Sequence, residues 1–144
     1  MWQTLIAVLG TLAGVGITSG HQARAARTAR ADARRTEGLE AVTELVARLA
    51  DHRRIMWMRE SIRLDGGDWS AARAESHSSR SAITAPLLRV QLLMPTLADA
   101  AQDAAAAAYA LRGRDDLTHL AAYREAAIRA SDALVAAAGR HLAA

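Results

Sequence analysis

The sequence predicts an all-α protein, with an N-terminal single transmembrane helix continuing into the long helix of a cytoplasmic antiparallel four-helix bundle. Three observations predict it. Residues 2–20, WQTLIAVLGTLAGVGITSG, carry no charge, and at about 1.5 Å per residue they cover roughly 28 Å of a hydrocarbon core about 30 Å thick. Beyond them, apolar residues recur with helical spacing. Helix-breaking residues fall in a few tight groups, and no stretch alternates like a strand. The chain divides accordingly into a transmembrane helix at 1–20, an Arg-rich juxtamembrane helix at 21–38 and a cytoplasmic helical bundle at 39–144.

The apolar segment is read as an uncleaved span. A secretory signal wants positive charge ahead of its apolar run and a small-x-small cleavage site. Here only the terminal amine precedes Trp2, and Ile17-Thr18-Ser19-Gly20 runs into His21 and Gln22. Arg24, Arg27, Arg30, Arg34 and Arg35 crowd the C-terminal flank against one acid, Asp32. Positive residues are retained on the cytoplasmic side. The expected location is therefore the cell membrane, single-pass, with the N-terminus outside and the C-terminal bundle cytoplasmic.

The first helix should run on past the membrane. From His21 to Leu64 there is no proline and one glycine, Gly38, while Leu39, Val42, Leu45, Val46, Leu49, Met56 and Ile62 keep helical spacing. Asp65-Gly66-Gly67-Asp68 is a stop and restart signal, because glycine accepts left-handed conformations past a C-terminus and Asp68 can cap the next helix. A second helix then spans about Trp69 to Met94. Pro86 and the serines at 76, 78, 79 and 81 predict a kink or break between Ala82 and Pro86.

Pro95 and Thr96 start the third helix, since a first turn does not need proline's missing N–H. It is expected to reach Leu111 and end at Arg112-Gly113. Asp115 or Asp116 caps the fourth, which shows Leu117, Leu120, Ala127, Ile128, Leu134 and Val135 on one side and stops near Gly139. Short connections make an antiparallel bundle the economical packing.

Composition shapes that packing. Alanine fills about a quarter of the chain and there is no Phe or Cys. Disulfides, thiolate nucleophiles and Cys-containing zinc sites are thereby excluded. A third helix facing the fourth with Ala100, Ala101, Ala104, Ala107 and Ala108 can approach closely but removes less apolar area per residue from water. Tyr109, Leu111, Leu120 and Tyr123 should supply bulk at one end.

Three features carry candidate functions. Gly10, Gly14, Gly16 and Gly20 form two small-xxx-small pairs in the span, where a second membrane helix could approach for self-association. The arginines at 24, 27, 30, 34 and 35 set topology and attract anionic lipid, at about 1 kcal/mol per residue near a charged surface. No aromatic residue is interleaved with them, so sequence-specific nucleic-acid binding is not expected. Finally, pairing of the first two helices about Gly66-Gly67 brings residues near 52–56 opposite residues near 76–81. His52, Arg53, Ser76, His77 and Arg80 then form an interhelical polar network or an anion-binding patch, with Asp51 and Glu75 balancing the arginines.

No chemistry is expected of these groups. There is no nucleophile elbow, no HExxH and no Gly-rich phosphate loop, and the five histidines lack metal-ligand spacing. The sequence reads as a non-enzyme with no cofactor and no metal.

All eighteen basic residues are Arg, which suggests a GC-rich genome such as an actinobacterium's. The charge-free span, the Arg-rich neck and the segments ADHRRIMWMRE, SHSSRSAITAPL and AAYALR resemble the KilB proteins of Streptomyces and related actinobacteria, associated with plasmid spread in mycelial conjugation. The resemblance covers nearly the whole chain and supplies no catalytic residues. It implies a membrane protein that supports intramycelial spread of a conjugative plasmid or integrative element through self-association, as a homo-oligomer, and through binding other transfer or spread proteins. Two alternatives stay open: a membrane-tethered helical scaffold or adaptor unrelated to DNA transfer, and a holin-like membrane-lesion protein.

Overall fold

A computed structural model describes the backbone of residues 2–143 and the side chains of residues 22–143. Four α-helices follow one another: α1 (Trp2–Leu64), α2 (Ser70–Leu93), α3 (Ala98–Tyr109) and α4 (Leu117–Ala143), with a single 3₁₀ turn at Pro95–Leu97 ahead of α3. No strand occurs among the described residues. The chain separates into two compact units, residues 1–36 and 37–144, with α1 contributing to both.

The second unit holds the core. The last part of α1 packs antiparallel to α2, α3 runs back alongside α1, and α4 returns, giving an up-down-up-down bundle. One apolar cluster joins Val42, Leu45 and Leu49 of α1 to Ile83 and Val90 of α2, Leu97, the buried alanines of α3 and Leu134 of α4. A smaller cluster lies toward the Gly66 end, formed by Met56, Leu111, Leu120 and Ala127 with Trp57 and Leu64 against it. The inward face of α3 is alanine throughout, with Ala101, Ala104, Ala105 and Ala108 at most 1% exposed. Ala100 and Ala107 are half-buried at its edges.

Local chemistry explains the boundaries. Gly66 and Gly113 both adopt φ of +74°, a conformation that L side chains rarely take, so each turn falls where glycine permits it. Asp68 accepts the Ser70 backbone N–H at 2.9 Å. Asp116, one of the two expected caps, accepts the His119 backbone N–H at 2.8 Å. These hydrogen bonds hold both carboxyls below the usual aspartate range.

Three expectations are corrected. Of the expected kink or break near Pro86 the break does not occur, since α2 is continuous through Pro86. The proline ring is fully buried, and the serine hydroxyls bond back to carbonyls of the preceding turn, Ser76 to Arg73 at 2.7 Å and Ser81 to His77 at 3.1 Å, so they are satisfied without opening the helix. The helix α3 ends at Tyr109, two residues before the expected Leu111, which is buried in the following turn instead. Finally, α4 passes through Gly139 to Ala143, because a single helical glycine costs only about 1 kcal/mol and the last turn is held by a 3.1 Å contact between His141 Nδ1 and Thr96 Oγ1. On the same helix, Leu117, Tyr123 and Val135 are exposed rather than buried.

Among the described residues no helix is long and apolar enough to cross a membrane. The expected span at 2–20 and its glycines, Gly10, Gly14, Gly16 and Gly20, lie outside the residues whose side chains are described, so the structure lends that part of the fold no support.

Gly38 marks the tightest approach at one end of the bundle. A Cβ built there would lie 2.7 Å from Met94 Cγ, and Met94 is itself buried. Gly38→Val should lower the urea midpoint, and Met94→Ala added to it should recover part of the loss by opening space. A Leu45→Ala variant should lose about 2–5 kcal/mol in the same titration, as expected for a fully buried leucine.

Candidate functional site

Polar groups concentrate where α1 meets α2. His52 follows Leu49 by three residues and precedes Met56 by four, so it occupies the step between the two apolar clusters. Its Nδ1 lies 2.8 Å from Ser79 Oγ, and the Ser79 hydroxyl donates to the Ser76 carbonyl at 3.2 Å. That arrangement leaves Nδ1–H as the donor of the His52–Ser79 bond. The imidazole also meets Tyr109 of α3 edge-on at 5.6 Å. On the face of Tyr109 rests the Arg80 guanidinium, 3.8 Å from the ring centroid.

Two turns further along α1 is a second polar set. The buried Arg59 donates to Ser76 Oγ at 3.3 Å and stands 5.1 Å from the Trp69 ring centroid. Glu60 is fully buried and accepts from Arg63 Nε at 2.7 Å, while Arg63 also donates to the Arg114 carbonyl. Glu60 Oε1 and Arg59 Nε lie 3.6 Å apart and have no hydrogen-bond partner. Burial lowers the pKa of Arg59, and Glu60 opposes that shift. Glu60 thus lies between two arginines, and the Arg59 bond to Ser76 and the Arg63 bond to the Arg114 carbonyl tie this part of α1 to α2 and to the turn after α3.

The candidate network is thus distributed differently from its sequence outline. His52 and Ser76 face the α1–α2 contact and Arg80 lies over Tyr109 of α3, but Ser76 bonds Arg59, and the partner of His52 is Ser79. Arg53 turns toward α4, where Arg124, Asp132 and Glu125 act on its charge, and His77 is exposed. Sequence reasoning passed over Ser79, Arg59, Glu60 and Tyr109 as members. Their signal was the helical step itself, since Arg59 lies two turns beyond His52 and Ser79 one turn beyond Ser76.

Beside this network a shallow cavity of about 340 Å³ opens between the two helices, lined by Arg48, Asp51, Arg54, Glu75 and Ser78 among others. Its charges are mixed, and no group of three or more potential metal-ligating side chains occurs among the described residues. Arginine covers every aromatic ring among the described residues: Trp57, Trp69, Tyr109 and Tyr123 each have a guanidinium within 5.6 Å of the centroid.

The first unit is simpler. Residues 22–36 are helical and exposed, and at 100° per residue Arg24, Arg27, Arg30, Arg34 and Arg35 fall within an arc of about 140°. Residues 1–36 hold five arginines and one acid, whereas residues 37–144 hold thirteen arginines and fourteen acids. The excess positive charge of the chain is thus confined to the neck.

The bundle, its charged interior and the basic stretch of α1 define a small all-α protein. A model of the KilB plasmid transfer protein family matches residues 39–142. The chain belongs to that family. It is 54% identical over 147 residues to Protein KilB of Streptomyces lividans, with the whole of both chains covered. No solved structure matches.

Two outcomes are expected of the network. Burial, reinforced by Arg80 and Arg59, lowers the His52 pKa from 6.5 to about 4. Between those values the unfolded chain binds the proton more readily than the folded one, so stability should fall as pH drops from 6.5 to 4. A His52→Gln variant should show a flatter dependence of melting temperature on pH across that window. Glu60→Ala, which strands Arg59 and Arg63, should cost about 3–5 kcal/mol in chemical denaturation.

Proposed function

We propose that this protein is a non-enzymatic, membrane-tethered component of plasmid transfer that supports intramycelial spread of its conjugative plasmid or integrative element. The observation that carries this reading is the 54% identity to the Streptomyces lividans KilB along the entire chain, neck and N-terminal segment included. The family match, confined to the bundle, supports the transfer role independently of any membrane contact.

The tether rests on the uncharged sequence of residues 2–20 and on the charge asymmetry. Five arginines on one helical face can lie against anionic headgroups while the nearly neutral bundle stays free for protein contacts. In this reading the N-terminus is outside and the bundle cytoplasmic, and Gly10, Gly14, Gly16 and Gly20 bring copies together as a homo-oligomer within the bilayer. Other transfer or spread proteins are the partners of the bundle. A holin-like lesion protein fits less well, because a bundle of more than a hundred residues serves no purpose in a membrane lesion; a tethered adaptor outside DNA transfer has no support from the family match.

Deleting the gene from its element should shrink transfer zones on a recipient lawn while the number of transconjugants stays unchanged. Unchanged zones would overturn the spread role. Replacing Arg24, Arg27, Arg30, Arg34 and Arg35 by Gln should reduce sedimentation with anionic phospholipid vesicles relative to the parent chain, with a smaller difference at high salt.

A further inference from the structure

One line along the outward side of α2 lacks charge. At 100° per residue, Ala71, Ala74, Ser78, Ser81 and Ala85 fall on one line of the helix, continued by Leu88 and Leu92. Every one of these side chains is exposed, with Leu88 at 52% and Leu92 at 70%. The steps between them alternate three and four residues without interruption, the spacing of the a and d positions of a heptad seam. No residue of the core depends on this line, since α2 buries Ala72, Ser76, Ile83, Pro86 and Val90 on its opposite side.

We infer that this line is an interface with a second copy of the same chain, formed by α2 against α2 in antiparallel orientation about an axis level with Ile83. The inference rests on α2 alone and does not depend on the plasmid-transfer reading. Three features of the seam select this occupant. The first is size: antiparallel heptads set each a position opposite a d, and about this level each large residue faces a small one, Leu92 opposite Ala74 and Leu88 opposite Ser78, with Ala85 opposite Ser81, so the two helices keep an even separation. A parallel pair would set leucine on leucine at one end and alanine on alanine at the other, and the helices would splay.

Charge supplies the second feature. Glu75 and Arg89 hold equivalent flanking positions two heptads apart and have opposite sign, so antiparallel pairing brings the Glu75 of each copy near the Arg89 of the other. Arg89 already bonds Glu44 at 3.2 Å and both groups are well exposed, which leaves the guanidinium room to bridge a second carboxylate. Third, the contact is self-complementary, as an isologous two-fold interface requires. A seam about 27 Å long, made mostly of small residues, buries on the order of 1,000 Å² over both copies, at the lower bound for a specific contact.

The absence of cysteine from the sequence makes the test direct. In the full chain, Ser81→Cys mixed with Ala85→Cys should give a disulfide-linked dimer under mild oxidation. Ala74→Cys should cross-link when mixed with Leu92→Cys and not by itself. Cysteine at Ala133 of α4, also exposed, is the control for random collision and for dimers held only through the N-terminal segment. Adding Leu88→Glu and Leu92→Glu to the Ser81→Cys and Ala85→Cys chains should reduce cross-linking at least tenfold with helical content unchanged, as both leucines lie outside the core. Equal yield at Ala133 and in the Ser81–Ala85 pair, no product in that pair, or self-linking of Ala74→Cys would each overturn the proposal. Transfer assays play no part in the readout, so failure of the spread role leaves this result intact.

Discussion

The bundle depends on how closely α3 approaches its neighbours. In a chain without phenylalanine, close-packed density has to come from short distances rather than from large side chains. Ala101, Ala104, Ala105 and Ala108 provide those distances, presenting methyl groups to α4 on one side and to α1 and α2 on the other. Larger residues are placed where the geometry leaves room: Leu45 and Leu49 on α1, Ile83 and Val90 on α2, Leu134 on α4. The cost of the arrangement is limited apolar area per residue, and it is met by packing both ends against turns, through Met94 over Gly38 and Leu111 against Leu120.

A modest core makes the polar interior consequential. His52, Arg59 and Glu60 are buried on one helix, and an unpaired charge there would be severe in a domain with little apolar surplus. Their placement in the step between the apolar clusters, with partners drawn from α2, α3 and the α3–α4 turn, ties four segments of the chain into one register. Uniform leucine and alanine faces can slide along one another, whereas a histidine that must meet Ser79 and Tyr109 cannot. Lowering of the His52 pKa is the electrostatic trace of this role: the ring is kept neutral so that it can be buried beside two arginines.

Charge is handled in the opposite way in the first unit. There the arginines are exposed on one side of a helix with almost no acid to balance them, while the bundle beyond is close to neutral. The chain belongs to the KilB family of plasmid transfer proteins, whose model matches the bundle.

The helical periodicity of the sequence, the Gly66-Gly67 and Gly113 turns and the capping by Asp116 determined the number and order of helices, because these are local properties of backbone and cap. So did the approximate meeting of residues near 52 with residues near 79, a consequence of folding two helices about a fixed turn. What the sequence did not determine was where local weakness is overruled. Pro86 and Gly139 are helix breakers by propensity, yet the ring of one is buried and the turn carrying the other is pinned by Thr96, and tertiary contact outweighs a local penalty of a few kcal/mol. The partners within the polar site were likewise a tertiary decision. Whether Arg53 or Arg59 turns inward depends on the rotation of α1 about its own axis, which is set by all three neighbouring helices at once, and no spacing along one helix contains that information.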